Sequence, residues 1–150
     1  MPLFAALLLG CGEDSQGPAV ETRKENSMQP FEAGQIWTYD TRPGEESSRI
    51  TICLVESDPK LGEIVHIHLS GLRLRNRHAA SGQSDQIGHM PYSGEALRAH
   101  IKSLESVSAD VPAFRDGYRE WRLAFEKGDA GVWTASLQEA ISVMESTLTQ

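Results

Sequence analysis

Apolar and polar side chains alternate along much of the stretch from residue 35 to residue 74. Gln35-Ile36-Trp37-Thr38-Tyr39-Asp40-Thr41-Arg42 is rich in aromatic and β-branched residues, which suit a pleated, half-buried surface. Arg42-Pro43-Gly44-Glu45-Glu46 reads as a turn, and the adjacent Glu45 and Glu46 as surface carboxylates. A second strand is predicted over 49–56 and a turn over 57–62. A third strand is predicted over 63–74, with Val65, Ile67 and Leu69 on one face and His66, His68 and Ser70 on the other. Turns this short join antiparallel neighbours, so the three strands form a meander. Residues 76–92, with Gly82, Gly88 and Pro91, read as a long polar loop, a common location for a functional site.

Beyond residue 92 the period changes. Ser93 caps a helix predicted to run to about Leu104, with Leu97, Ile101 and Leu104 as its stripe. Phe114, Tyr118, Trp121 and Phe125 recur at helical spacing, and Lys127-Gly128-Asp129-Ala130-Gly131 ends that helix. Large apolar residues at this spacing point to core rather than to a ligand pocket. A third helix follows Val132-Trp133, with Leu137, Ile141, Met144 and Leu148 on one side and Ser136 and Glu139 at capping-box spacing. The expected architecture is a single α+β domain over 34–150, a three-stranded antiparallel meander followed by about three helices packed on one face of the sheet.

The first 33 residues have a different pattern. MPLFAALLLG is apolar and stops at Cys11, after which the chain turns polar. Leu8-Leu9-Gly10-Cys11 resembles the lipobox of bacterial lipoproteins. The resemblance implies that residues 1–10 are a signal peptide and that Cys11 becomes an acylated N-terminus carrying chains such as palmitate. Such a protein is anchored in the cell envelope and faces the periplasm. Gly12 rather than Asp follows the cysteine, which in that family favours the outer membrane. Residues 12–33 are charged and poor in apolar positions, as expected of a tether with a mean reach of about 25 Å. Initiation at Met28 would instead give a cytoplasmic product without an anchor.

Composition narrows the function classes. The 150 residues carry 14 Lys+Arg against 21 Asp+Glu, a net charge of −7, which opposes nucleic acid as a partner. Two cysteines cannot build a disulfide scaffold, and with Cys11 acylated the remaining Cys53 lies in the apolar run Ile52-Cys53-Leu54-Val55. A thiol in such surroundings is structural.

Three groups of residues carry candidate chemistry. His66 and His68 leave the same face of a strand, so both imidazoles could ligate a metal, with His89 or Asp85 from the long loop as a third ligand. The competing expectation is histidines exposed on a polar sheet face. Arg73, Arg75 and Arg77 alternate, with His78 following, and three guanidinium groups along a strand end suit carboxylates or phosphates. Together with His89 they make a candidate partner-binding set. No GxSxG, Walker or GxGxxG motif occurs, and no cofactor is expected.

Two further resemblances concern the domain. Gly34-Gln35-Ile36-Trp37, Asp40, Pro43-Gly44-Glu45 and Arg49 resemble the opening of the PemK-type toxin barrel, which implies a ribonuclease. That family usually has Arg-Pro where this chain has Arg49-Ile50, and its later catalytic threonine segment has no placed match. More broadly, Gly34 to Arg49, Gly62 to Ile67, Gly88 to Ser93 and Ala130 to Thr134 are similar to a group of uncharacterised bacterial proteins, which implies no activity. The expectation is a membrane-anchored envelope lipoprotein with a small domain binding a periplasmic protein or a cell-wall ligand. The alternative is an enzyme, either a metal-dependent hydrolase using clustered histidines or a divergent PemK-like ribonuclease.

Overall fold

The computed structural model describes residues 29–150. Cys11, the signal peptide and most of the expected tether lie outside the described residues. Strands β1 (Gln35–Tyr39), β2 (Arg49–Asp58) and β3 (Gly62–Ser70) form the antiparallel meander predicted from the alternation. The meander is the centre of a larger sheet. Two more strands, β6 (Ile87–Ser93) and β7 (Ile101–Val107), flank it in the order β6-β3-β2-β1-β7, and every pairing is antiparallel. A two-residue pair, β4 (Leu74–Arg75) with β5 (Gln83–Ser84), makes a small second sheet.

Both added strands replace other expectations. β6 lies inside the segment read as a loop. Its Met90 and Tyr92 are fully buried, and its Pro91 is tolerated because β6 is an edge strand. The Pro91 carbonyl points away from β3 and accepts from the Trp133 amide at 2.8 Å, so the missing N–H also faces outward. β7 occupies the second half of the expected first helix. The helix, α1 (Gly94–His100), is capped by Ser93 as predicted but stops where β7 begins. In β7, Leu104 pairs with Trp37 and Ile101 with Tyr39, so three residues of β7 span two of β1. That bulge gives a strand the apolar spacing of a helix.

Helices cover both faces of the sheet, not one. Val65, Ile67 and Leu69 of β3 join Ile50, Ile52, Trp37, Met90 and Tyr92 in the main core. Leu97 of α1 packs there, as do Leu137, Ala140 and Ile141 of α3 (Leu137–Leu148). The predicted Ser136/Glu139 capping box starts α3. Helix α2 (Arg115–Glu126) lies on the opposite face, over the side chains that alternate with that core.

Residues 29–33, read as the end of a tether, lie against the domain. Phe31 is buried edge-on to Trp37, and the Arg98 guanidinium sits 4.1 Å over the Phe31 ring and donates to the Gln29 carbonyl. At Gly34, with φ +94°, a Cβ would collide with the Ser108 carbonyl where β1 and β7 converge, so only glycine fits. Among the described residues no helix is long and apolar enough to cross a membrane.

Candidate functional site

His66 is drawn into the fold by strand alternation. Flanked by Val65 and Ile67 on the core side, it must point to the other face, where α2 lays down its aromatic stripe. The Tyr118 and Trp121 rings meet the His66 ring edge-on, each with centroids 4.9 Å away. The sequence had suggested exposed histidines on this face. His66 is instead 0% exposed, because the stripe on α2 covers it, and His68 is 5% exposed. Of that stripe Phe114 and Trp121 are buried and Tyr118 and Phe125 half-buried; it packs on an imidazole and not on the main core, and Phe114 also lines the groove beside His89.

Of the histidines singled out, the structure joins His66 to His89. His66 Nδ1 is 2.8 Å from His89 Nε2, and the two rings lie nearly parallel and side by side, 16° between their planes and 5.1 Å between centroids. His89 reaches this position from β6 because Gly117 on α2 has no side chain. A Cβ there would lie 2.9 Å from the His89 Cβ. His68 diverges, its Nδ1 lying 3.3 Å from the Gly88 carbonyl oxygen. The expected metal set therefore does not assemble. Among the described residues no group of three or more His, Cys, Asp or Glu side chains could hold a metal ion.

The far nitrogen of His66 faces a carboxylate. Nε2 lies 3.6 Å from Glu56 Oε2, and it is the buried side-chain polar atom without a hydrogen bond among the described residues. Glu56 is held by α2: its Oε2 accepts from the Tyr118 hydroxyl at 2.9 Å, and its Oε1 from Arg122 Nη1 at 3.2 Å. Glu56 was not singled out in the sequence. It sits at the far end of β2, opposite Ile64, and only the pairing of β2 with β3 brings it under His66.

Burial sets the protonation of the pair. Loss of solvation pushes His66 down to about 4, with the nearby Arg122 cation adding to the effect. His89 is likewise pushed down to about 4 by burial, with His66 adding. Both rings are neutral at neutral pH, and each carries a single N–H. His68 is also lowered, by burial against the opposing pull of the Gly88 carbonyl and Asp85.

Beside His89 the surface opens into a groove of about 610 Å³. Ile87, Gly88 and His89 form one wall, the run from Val111 to Gly117 the other, and Met144 of α3 contributes as well. Among the described residues no Ser, Thr, Cys or Lys lines it, while Arg115 and Asp116 do. Cys53, at a bulge in β2, is buried and its thiol is pushed up to about 12 by burial, in keeping with a structural role.

The arginine cluster lies elsewhere. Arg73, Arg75 and Arg77 alternate with buried Leu72 and Leu74 and are exposed, as the spacing predicts. Their backbone amides dock this segment onto the fold, donating to Glu45 Oε1, Glu145 Oε2 and the Leu148 carbonyl. Carboxylates are close to two of the guanidinium groups. Glu46 is held low by the Gly44 amide, with Arg73 contributing, and Glu145 by the Arg75 amide, with Arg42 and the Arg75 charge contributing. Glu45, read as a surface residue, is 2% exposed, because Arg42 and the Arg73 amide both donate to it. Asp85 lines a separate shallow polar depression with Ser81 and Gln83.

Comparison of the chain with protein-family models, with curated proteins and with solved structures finds no match.

Proposed function

We propose that the chain is an envelope lipoprotein, held to a bilayer through acylated Cys11, whose α+β domain binds a ligand in the groove between β6 and the start of α2. The observation that carries the binding role is the groove, an open recess walled mostly by apolar residues, with the His89 imidazole, Arg115 and Asp116 also in its lining. Recesses of this size with few, fixed polar groups suit small molecules or a short segment of a larger partner. The anchor rests on Leu8-Leu9-Gly10-Cys11 and on the polar chain that follows. Buried acyl carbon contributes about 0.8 kcal/mol per CH₂, so stable attachment needs more than one chain. The ligand would then be a cell-wall component or part of a periplasmic protein.

A screen of small aromatic fragments against the full chain by amide chemical-shift mapping tests the groove. Fragments at roughly millimolar concentration should shift residues 87–89 and 113–117, and Ala113→Trp, which fills the recess from an exposed position, should abolish those shifts. Fragments that leave these residues undisturbed would remove the binding site from the proposal.

A further inference from the structure

We infer that Glu56, His66 and His89 form a chain that leaves His89 Nδ1 as a bare hydrogen-bond acceptor, so that the ligand of the groove is an apolar body bearing an N–H or O–H donor. This inference rests on the groove being a binding site and specifies its chemistry.

The argument is one of proton placement. Each neutral imidazole has one N–H and one lone pair. Nδ1 of His66 and Nε2 of His89, 2.8 Å apart, need one proton between them. If His66 supplied it, its bare Nε2 would face Glu56 Oε2 at 3.6 Å, setting a lone pair against a carboxylate inside the protein. If His89 supplies it, His66 keeps its proton on Nε2, aimed at Glu56, and accepts at Nδ1. The second arrangement turns a repulsion into an attraction in surroundings of low polarity.

Glu56 is fixed for this task. Tyr118 and Arg122 donate to it from α2, which keeps the carboxylate in place. The proton on His89 is therefore on Nε2, and Nδ1 keeps its lone pair. Among the described residues Nδ1 has no hydrogen-bond partner, and it is not one of the buried unpartnered atoms, so solvent reaches it. It lies on the Gly117 side of the ring, where the groove runs. Glu56 and His66 touch no ligand in this scheme and act as positioning residues, as second-layer carboxylates do for histidines elsewhere. Phe114 and Ile87 provide apolar wall for the body of the ligand.

The test uses the full chain labelled with ¹⁵N-histidine and long-range ¹H–¹⁵N correlation spectra at neutral pH, which distinguish the two tautomers. Both His66 and His89 should be Nε2–H. In Glu56→Gln, whose amide can donate as well as accept, an Nδ1–H population of His66 should appear. An Nδ1–H form of either ring in the unsubstituted protein overturns the chain, and an unchanged pattern in Glu56→Gln overturns the role of Glu56. Indole and 1-methylindole then probe the ligand class. Indole should shift the His89 Nδ1 resonance and bind about tenfold tighter, the usual cost of leaving one such polar group unpaired. Equal affinities would overturn the donor requirement while leaving the groove as a site. Failure of both probes to perturb residues 87–89 would overturn the binding reading and this inference with it.

Discussion

Glu56 and Tyr118, 62 residues apart in the chain, meet where the tyrosine hydroxyl donates to the carboxylate at 2.9 Å. The contact fastens α2 to the far end of β2 and closes the aromatic stripe over His66. Tyr118→Phe keeps the ring packing and removes only the hydroxyl. The substitution should cost about 1 kcal/mol in urea denaturation, the ordinary worth of such a bond at a partly exposed carboxylate. A variant as stable as the parent would show that the stripe alone holds the helix.

The histidine pair makes stability depend on pH. In the unfolded chain both rings titrate near 6.5, whereas in the fold burial lowers both to about 4. Between those values the unfolded state holds more protons, so stability falls as pH drops from 6.5 towards 4 and is fully present above 6.5. Unfolding free energy should decrease by about 3 to 4 kcal/mol for the two rings together between pH 7 and pH 5, before most carboxylates titrate. His66→Leu should flatten that slope. An equally steep slope in His66→Leu would place the dependence on other groups.

Gly117→Ala sets helix propensity against space. Alanine should gain up to about 1 kcal/mol in an exposed helix. Here its Cβ would lie 2.9 Å from the Cβ of His89, an atom held by the β6 backbone, so the helix itself must move. The clash should prevail, with a net loss of about 1 to 2 kcal/mol. The shift should also disturb the ¹⁵N resonances of both histidines. A stabilised variant with unchanged histidine spectra would mean that α2 has slack over β6.

Glu45 holds the turn after β1 to β4. It is buried, accepts from Arg42 and from the Arg73 amide, and Arg42 also reaches Glu145 on α3. Glu45→Ala should cost about 3 kcal/mol, since it leaves a partly buried guanidinium and an amide short of a partner. The neighbouring Glu46→Ala, on an exposed side chain, should change stability by less than about 0.5 kcal/mol. Similar losses from the two would contradict the difference in their surroundings.

Much of the architecture was legible because it depends on local periodicity. Val65, Ile67 and Leu69 placed β3, Leu137 and Ile141 placed α3, and Ser93 and Ser136 marked the helix starts. β6 was hidden by Gly88 and Pro91, which break strands in general but are harmless on an edge whose outer side faces Trp133. β7 was hidden by a bulge that spaces Ile101 and Leu104 like a helix. The site was half visible. His66 and His89 were singled out, but their direct contact needs β6 to pair with β3, a register that no local pattern encodes. Glu56 gave no signal, because a carboxylate near the end of a strand looks like surface until α2 closes over it. Both helix-bearing faces follow from the same strand alternation, but only the burial of His66 and His68 shows that the second face is covered.

Under the proposed function, membrane attachment through Cys11 would determine the compartment and with it the set of ligands the groove can meet. It is tested most directly by incorporation of labelled palmitate into the full chain in a bacterial host, with Cys11→Ala alongside. Label in the parent protein, found in the membrane fraction and lost on substitution of Cys11, is the predicted result. An unlabelled, soluble parent that still carries residues 1–10 would contradict it.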